Sequence, residues 1–373
     1  MLKLDRRLVK NFDWVTLSIA IVIALIGIMT IYSATRPVIE EDSYRFYIRQ
    51  AIWLMIGLAG LFLIVSFDYM WLYRLSIYLY LIGIISLIAV FFFGRTGLGA
   101  QRWINIGPIS FQPSEFFKLS YIMMLSRQLS NINGSLSTTS FFRLFFLIVF
   151  VPFVLLIKQP DLGTALIIMI IFLSIMLAHG IQRKILVLFI IIGIISLPFI
   201  GNIFWEGLKD YQKNRIIAFM EPGVDPTGIG YHINQSKITV GSGKFFGKGY
   251  LKGTQGPFRF LPEKHTDFIF AVFAEEWGFL GSILLISLYF FLILRGFKTA
   301  LDAKDDFGRY LALGITFMFL TYCVVNIGMT LGIMPVVGIP LPFMSYGGTA
   351  LLSNLLSLGI LINIRTRRFE LFH

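Results

Sequence analysis

Glu115 and Lys118 stand three residues apart in a mostly apolar stretch, Asp161 opens the apolar run that begins at Leu162, and Asp267 opens the one that begins at Phe268. Residues three apart share a helical face, so Glu115 and Lys118 read as a structural ion pair or as part of a site. Asp161 suits a first helical turn, where the dipole favours a carboxylate. Thr266 or Asp267 suits a helix cap. A second reading takes the four together. Carboxylates beside a lysine and helix N-termini can hold an anion, bind a divalent cation or accept a proton from a hydroxyl. Ionisable groups within spanning segments are costly and mark functional sites by default.

Which reading holds depends on the elements that carry these residues. Of the 373 residues 57% are hydrophobic and 14% charged, against roughly 45–50% and about 25% in an ordinary soluble domain. A hydrocarbon core of about 30 Å needs roughly 20 apolar residues per helix. Apolar runs at 14–33, 51–67, 71–93, 114–129, 141–157, 162–178, 185–204, 268–294, 310–331 and 348–364 predict an all-α polytopic membrane protein of about ten spans. The whole chain, 1–373, reads as one transmembrane domain. The fourth run carries Glu115, Lys118 and Arg127, so an interfacial helix is its alternative reading. The first run reads as a retained helix, since no small-residue cleavage pattern stands out.

A net charge of +12 suits nucleic acid or a cytoplasmic membrane face. With ten spans, Arg6, Arg7, Arg74, Arg127, Arg143, Arg183, Arg295, Arg309, Arg365 and Arg368 all fall on the N-terminal side. By the positive-inside rule both termini are cytoplasmic, and no nucleic-acid partner is expected. The fourth, sixth, eighth and tenth helices then start at the outer face, bringing Glu115, Lys118, Asp161 and Asp267 to one depth. The single cysteine, Cys323, excludes an intramolecular disulfide and any cysteine zinc cluster.

One external connection, 206–266, is long, with nine Lys or Arg against four acids after Glu206. Its stretch 231–256 is rich in Gly and Lys. Interleaved Ile238, Val240, Phe245, Phe246, Tyr250 and Leu251 favour packing over disorder. The spacing of Gly241, Gly243 and Gly247 fits neither the dinucleotide fingerprint nor a Walker A loop, so no nucleotide is expected. Gln112-Pro113-Ser114-Glu115 and Gln159-Pro160-Asp161-Leu162 echo each other at two helix starts, where proline fits the first turn. Arg102 and Lys158 read as headgroup contacts or as anion ligands. His265 reads as an orienter of Asp267 or a bridge to loop backbone, and Glu275 and Glu276 as structural. The stretch 335–348, with Ser345, reads as a re-entrant or tight external turn, which must be buried or line a cavity.

Gln101-Arg102-Trp103, Gln112-Pro113-Ser114-Glu115 with Lys118, Gln159-Pro160-Asp161-Leu162-Gly163-Thr164, 261–278 and 340–348 together resemble, in order and nearly end to end, the SEDS proteins of shape, elongation, division and sporulation. Tyr231-His232-Ile233-Asn234-Gln235-Ser236-Lys237, then Gly241-Ser242-Gly243 and Gly253-Thr254-Gln255, resemble the elongation branch more than the division branch.

The resemblance implies a peptidoglycan glycosyltransferase that polymerises lipid II into glycan strands at the outer face of the bacterial inner membrane. It also implies a class B penicillin-binding protein as partner. Asp267 falls on the family's essential acidic position in the large loop, and Glu115, Lys118 and Asp161 fall on other required positions. A hydroxyl of one lipid-linked disaccharide would displace undecaprenyl pyrophosphate from the growing chain, inverting C1, with Asp267 as base. Lys118, Arg102, Arg215 and loop lysines are candidate pyrophosphate ligands, and Lys158, Gln112, Ser114, His265 and Ser345 are further substrate-binding candidates. Asp267, Glu115 and Asp161 are candidate ligands of a divalent cation, Mg2+ or Mn2+. A lipid II transporter and a non-catalytic scaffold for the penicillin-binding protein are the alternatives.

Overall fold

In the computed structural model the described residues are 11–36, 45–97, 100–107, 109–132, 134–181, 229–254 and 263–368, with 184, 187, 188, 191, 213, 217 and 220. Apolar runs in hydrocarbon satisfy their backbone groups internally by forming helices, and the expected runs within the described residues do so, with one further helix inside the long connection 206–266. In chain order these are α1 (Trp14–Thr35), α2 (Arg45–Ser66), α3 (Met70–Phe93), α4 (Pro113–Ser130), α5 (Thr138–Lys158), α6 (Leu162–His179), α7 (Ile229–Ser242), α8 (Ile269–Leu301), α9 (Asp306–Thr330) and α10 (Gly348–Thr366). Eight of them, all but α4 and α7, are long and apolar enough to cross a membrane. The predicted seventh span, 185–204, lies outside the described residues except for 187, 188 and 191.

α4 corrects the interfacial alternative for the fourth run. An interfacial helix keeps a polar face in water, whereas α4 packs among α3, α6, α9 and α10 and buries Glu115, Lys118, Ser120 and Ser126. Its low hydropathy reflects burial in protein. Lipid contact falls to outer helices such as α3, where Tyr78, Ile82, Ile85 and Phe92 are exposed.

Side-chain bonds tie the helix ends into two groups. Asp13, which caps α1, accepts from Arg295 Nη2 near the end of α8 at 2.5 Å and pairs with Arg365 Nε near the end of α10 at 3.1 Å. Tyr69, before α3, bonds Asp305, the cap of α9. At the opposite ends, Gln50 Nε2 in α2 donates to the Ser345 carbonyl at 3.0 Å, ahead of α10. Arg102 reaches Asp161 across the starts of α4 and α6. The starts of α4, α6, α8 and α10 therefore share one end of the bundle.

Between α3 and α4 lies a sheet the apolar pattern did not predict: β1 (Arg95–Gly97), β2 (Ala100–Ile106) and β3 (Ile109–Phe111), antiparallel in the order β1-β2-β3. β2 carries Arg102. In α5 the stretch Phe145–Phe150 widens into a π-helix. Tyr80 Oη donates to the Ile148 carbonyl there at 2.9 Å.

The described part of the long connection is ordered. Ser236 Oγ on α7 donates to the Thr330 carbonyl at the end of α9 at 2.7 Å. Residues 243–254 then dock on a kink in α8, where Gly278 has φ 66°. Lys248 N–H donates to the Glu275 carbonyl at 3.0 Å and Phe279 N–H to the Lys244 carbonyl at 2.9 Å. A Cβ on Gly278 would overlap the backbone at Phe245–Gly247.

Candidate active site

The sequence Gln112-Pro113-Ser114-Glu115 starts α4 with proline in its first turn and presents Ser114 toward α6. Asp161 caps α6: Oδ1 accepts from the Thr164 N–H at 3.3 Å and Oδ2 from Thr164 Oγ1 at 2.9 Å. The capping reading holds, yet it leaves the carboxylate with further partners. Ser114 Oγ donates to Oδ2 at 3.2 Å, Arg102 Nη1 lies 3.6 Å from Oδ1, and Arg102 also donates to the Pro160 carbonyl. Gln112 Nε2 donates to Ser114 Oγ at 3.2 Å.

One turn into α4, Lys118 Nζ donates to Glu115 Oε1 at 2.6 Å, with Lys118 1% and Glu115 3% exposed. Charges that far from water persist only when paired. The Tyr322 ring of α9 lies 4.8 Å from the ammonium, a cation–π contact. Ser353 Oγ of α10 donates to the Glu115 carbonyl at 2.9 Å. Arg102, Gln112, Glu115, Lys118, Asp161, Thr164, Ile167, Tyr322 and Gly338–Pro340 line one pocket.

Asp267 is not among those lining residues. It occupies the turn before α8 and is partly exposed. The cap position of α8 is Phe268, with no side-chain cap bond. Thr266 Oγ1 donates to Glu263 Oε2 at 2.9 Å, so Thr266 does not cap α8. A link to the pocket runs through Asn326 of α9. Its Nδ2 donates to the Asp267 carbonyl at 3.0 Å and to the Ile339 carbonyl, on the pocket's rim, at 2.8 Å. Ser345 Oγ fastens the same region by donating to the Thr266 carbonyl at 2.7 Å while accepting from the Leu341 N–H at 2.8 Å.

The His265 carbonyl accepts from the Tyr346 N–H at 2.8 Å, a bond of the main chain alone, and the His265 ring packs against Phe46 and Tyr346. Burial pushes its imidazole below the ordinary range. Lys158 is exposed at the end of α5 and does not line the pocket. Arg215 lies outside the described residues. Glu275 has the structural use expected of it: fully buried, its Oε1 accepts from Lys248 Nζ at 2.6 Å and from Thr254 N and Oγ1, each at 2.8 Å. Glu276 accepts a bond from Ser33 of α1.

The two cations among the described residues that line the pocket, Arg102 and Lys118, are each paired with one of the two carboxylates there, Asp161 and Glu115. Among the described residues no three His, Cys, Asp or Glu side chains gather as a metal-holding set, and Asp267 stands apart from the pocket that holds Glu115 and Asp161.

Sequence reading missed Tyr322, Asn326, Thr164 and Ser353 as members of the site. The signal for Asn326 was present, as an amide inside an apolar helix. Tyr322 gave none, because a tyrosine in such a helix reads as packing.

An apolar bundle that buries two acid–base pairs where four helix starts meet defines a multi-pass membrane protein with a polar site at one end. The chain belongs to the FtsW/RodA/SpoVE family, whose model, described as cell cycle protein, matches residues 11–370. It is 43% identical over 294 residues to the peptidoglycan glycosyltransferase MrdB of Escherichia coli strain K12, covering 78% of each chain. Its fold is similar to a chain of a solved peptidoglycan synthase complex that coordinates polymerization and crosslinking, with TM-score 0.80, 30% identity and 96% and 99% of the two chains covered. It is also similar to the rod shape determining protein RodA of Thermus thermophilus, with TM-score 0.70, 28% identity and 96% and 98% covered.

Proposed function

We propose that this RodA-like member of the family is a peptidoglycan glycosyltransferase that polymerises lipid II into glycan strands during cell elongation. The acceptor hydroxyl attacks C1 of the growing chain, the bond from C1 to the pyrophosphate oxygen breaks, and undecaprenyl pyrophosphate departs with inversion. Asp267 takes the hydroxyl proton. The observation that carries this reading is the convergence of four distant motifs, around Arg102, Glu115, Asp161 and Pro340, on one pocket that Asn326 joins to the turn of Asp267.

The chemistry asks for a base, a polar surface that holds sugars in register and a water-poor setting. The turn before α8 supplies the first, and the pocket at the starts of α4 and α6 supplies the rest. The basic residues at the other end of the bundle orient the site outward under the positive-inside rule, with both termini cytoplasmic. A class B penicillin-binding protein is the crosslinking partner, a reading supported by the synthase complex that the fold resembles.

A lipid II transporter is the competing function, and detergent separates the two, because micelles have no two compartments. Purified protein given lipid II in detergent is expected to form glycan polymer, more so with the class B partner. Absence of polymer with and without the partner contradicts the glycosyltransferase reading.

A further inference from the structure

Three consecutive carbonyls ahead of α8 are each held by a hydrogen bond. The His265 carbonyl accepts from the Tyr346 N–H at 2.8 Å, the Thr266 carbonyl from Ser345 Oγ at 2.7 Å and the Asp267 carbonyl from Asn326 Nδ2 at 3.0 Å. Planar peptides leave only φ and ψ free, so fixing these units sets the direction of the Asp267 Cα–Cβ bond. Two of the three donors belong to the turn ahead of α10.

That turn is strained and held from several sides. Phe343 within it has φ 64°, a left-handed conformation that a bulky residue keeps only where its surroundings over-determine it. Tyr289 Oη of α8 donates to the Pro342 carbonyl at 2.7 Å, and the Leu341 N–H donates to Ser345 Oγ at 2.8 Å. From the other side comes Gln50 of α2, 1% exposed on a helix whose Ile48, Ile52 and Met55 are exposed. Both ends of its amide go to the turn: Nε2 donates to the Ser345 carbonyl at 3.0 Å, and Oε1 accepts from the Gly347 N–H at 3.2 Å. These two bonds bracket Tyr346. Phe46, one turn earlier on the same face of α2, places its ring 5.0 Å from that of Tyr346 and 4.8 Å from that of His265. Packing alone would be met by an apolar side chain, whereas a buried amide is costly unless it is hydrogen-bonded.

We infer that Gln50 is a positioning residue for the reaction: it clamps residues 345–347, and these hold the 265–267 turn that carries Asp267. The inference rests on the reading of Asp267 as the base. Gln50 does not line the pocket and acts through backbone groups. Its contribution is the register of Asp267, where a displacement near 1 Å can cost about 10²-fold in rate.

Gln50→Met removes both bonds at nearly constant volume. With purified protein and lipid II it is expected to lower kcat about 10- to 100-fold and to leave KM within about twofold, the pattern of a misplaced group and not of a lost substrate contact. Rates are referred to folded protein, with the melting temperature recorded on the same preparations. Ser345→Ala, which cuts the bond from the turn to Thr266, should lower kcat as well. Because both changes act on one link, the double variant should fall no more than about threefold below the slower single one. Should Gln50→Met fail to fold, Gln50→Asn, whose amide is too short to bond both groups, is measured with the same expectations. The inference is overturned by a wild-type kcat per folded protein, by a change confined to KM, or by losses that multiply in the double variant. Asp267→Asn run beside these variants separates the two readings. Near wild-type turnover there would contradict the base, whereas an inactive Asp267→Asn beside a wild-type kcat in Gln50→Met would contradict the positioning role alone.

Discussion

Lys118 and Glu115 exchange a 2.6 Å bond inside a helix that neither water nor lipid surrounds, so either one alone is worse than neither. Removing one partner of a buried pair costs about 3–5 kcal/mol, whereas replacing both by apolar residues of similar volume is often neutral or stabilising. Lys118→Ala is therefore expected to lower the melting temperature and abolish polymer. The double change Glu115→Leu with Lys118→Met should restore the melting temperature and leave polymer absent. Recovery of polymer in the double variant would reduce the pair to a structural one. Arg127, at the other end of α4, donates to the Tyr73 carbonyl at 2.8 Å and is half-buried. At matched protein levels Arg127→Ala should retain far more polymer than Lys118→Ala.

At the scale of elements, the kink of α8 and the glycine-rich segment define each other. Gly278 adopts φ 66° because residues 245–247 occupy the space a side chain would need. Positive φ at a non-glycine residue costs of order 1–3 kcal/mol, and the overlap adds to it. Gly278→Ala is expected to lower the melting temperature and to speed tryptic cleavage at Lys244, Lys248 and Lys252, and Glu275→Ala to speed the same cleavages by releasing Lys248 and Thr254. Unchanged cleavage in both would mean that the segment is not held by α8. How much of this was legible varies by element. Long apolar helices within the described residues were readable as elements, since hydropathy sets them, but their polar ends were not: α2 starts at Arg45 and not at 51, and α8 runs to Leu301 and not to 294. α4 was readable as a helix but ambiguous in place, because a helix sheltered by its neighbours has the composition of an interfacial one. The β1–β3 sheet escaped notice because its strands are short and broken at Gly97 and Gly107. In the site, Glu115, Lys118, Asp161 and Arg102 stood out as charges in apolar surroundings. Tyr322 and Asn326 join it only through the packing of α9 against α4 and the 338–341 segment, which no local pattern encodes.

Across the whole molecule, one end of the bundle collects Asp13, Arg295 and Arg365, and the other collects Arg102, Asp161 and Ser345. The orientation of these ends decides whether the site meets substrate outside the cell. Lys252 is exposed and Cys323 is the sole cysteine, so Lys252→Cys in a Cys323→Ala background gives a single label site. It should react with a membrane-impermeant maleimide added to intact spheroplasts. Reaction only after lysis would place the site on the cytoplasmic side and remove the substrate from reach.

The most direct measurement is turnover of purified lipid II by Asp267→Asn beside the wild type, with binding and melting temperature recorded on the same preparations. Asparagine matches aspartate in size and cannot take the proton, and positioned acid–base catalysis contributes about 10²–10⁴-fold. The predicted result is a loss of polymerisation in that range, with lipid II binding and melting temperature near the wild type and the base-dependent limb of the pH profile gone. Near wild-type turnover by Asp267→Asn would contradict the account.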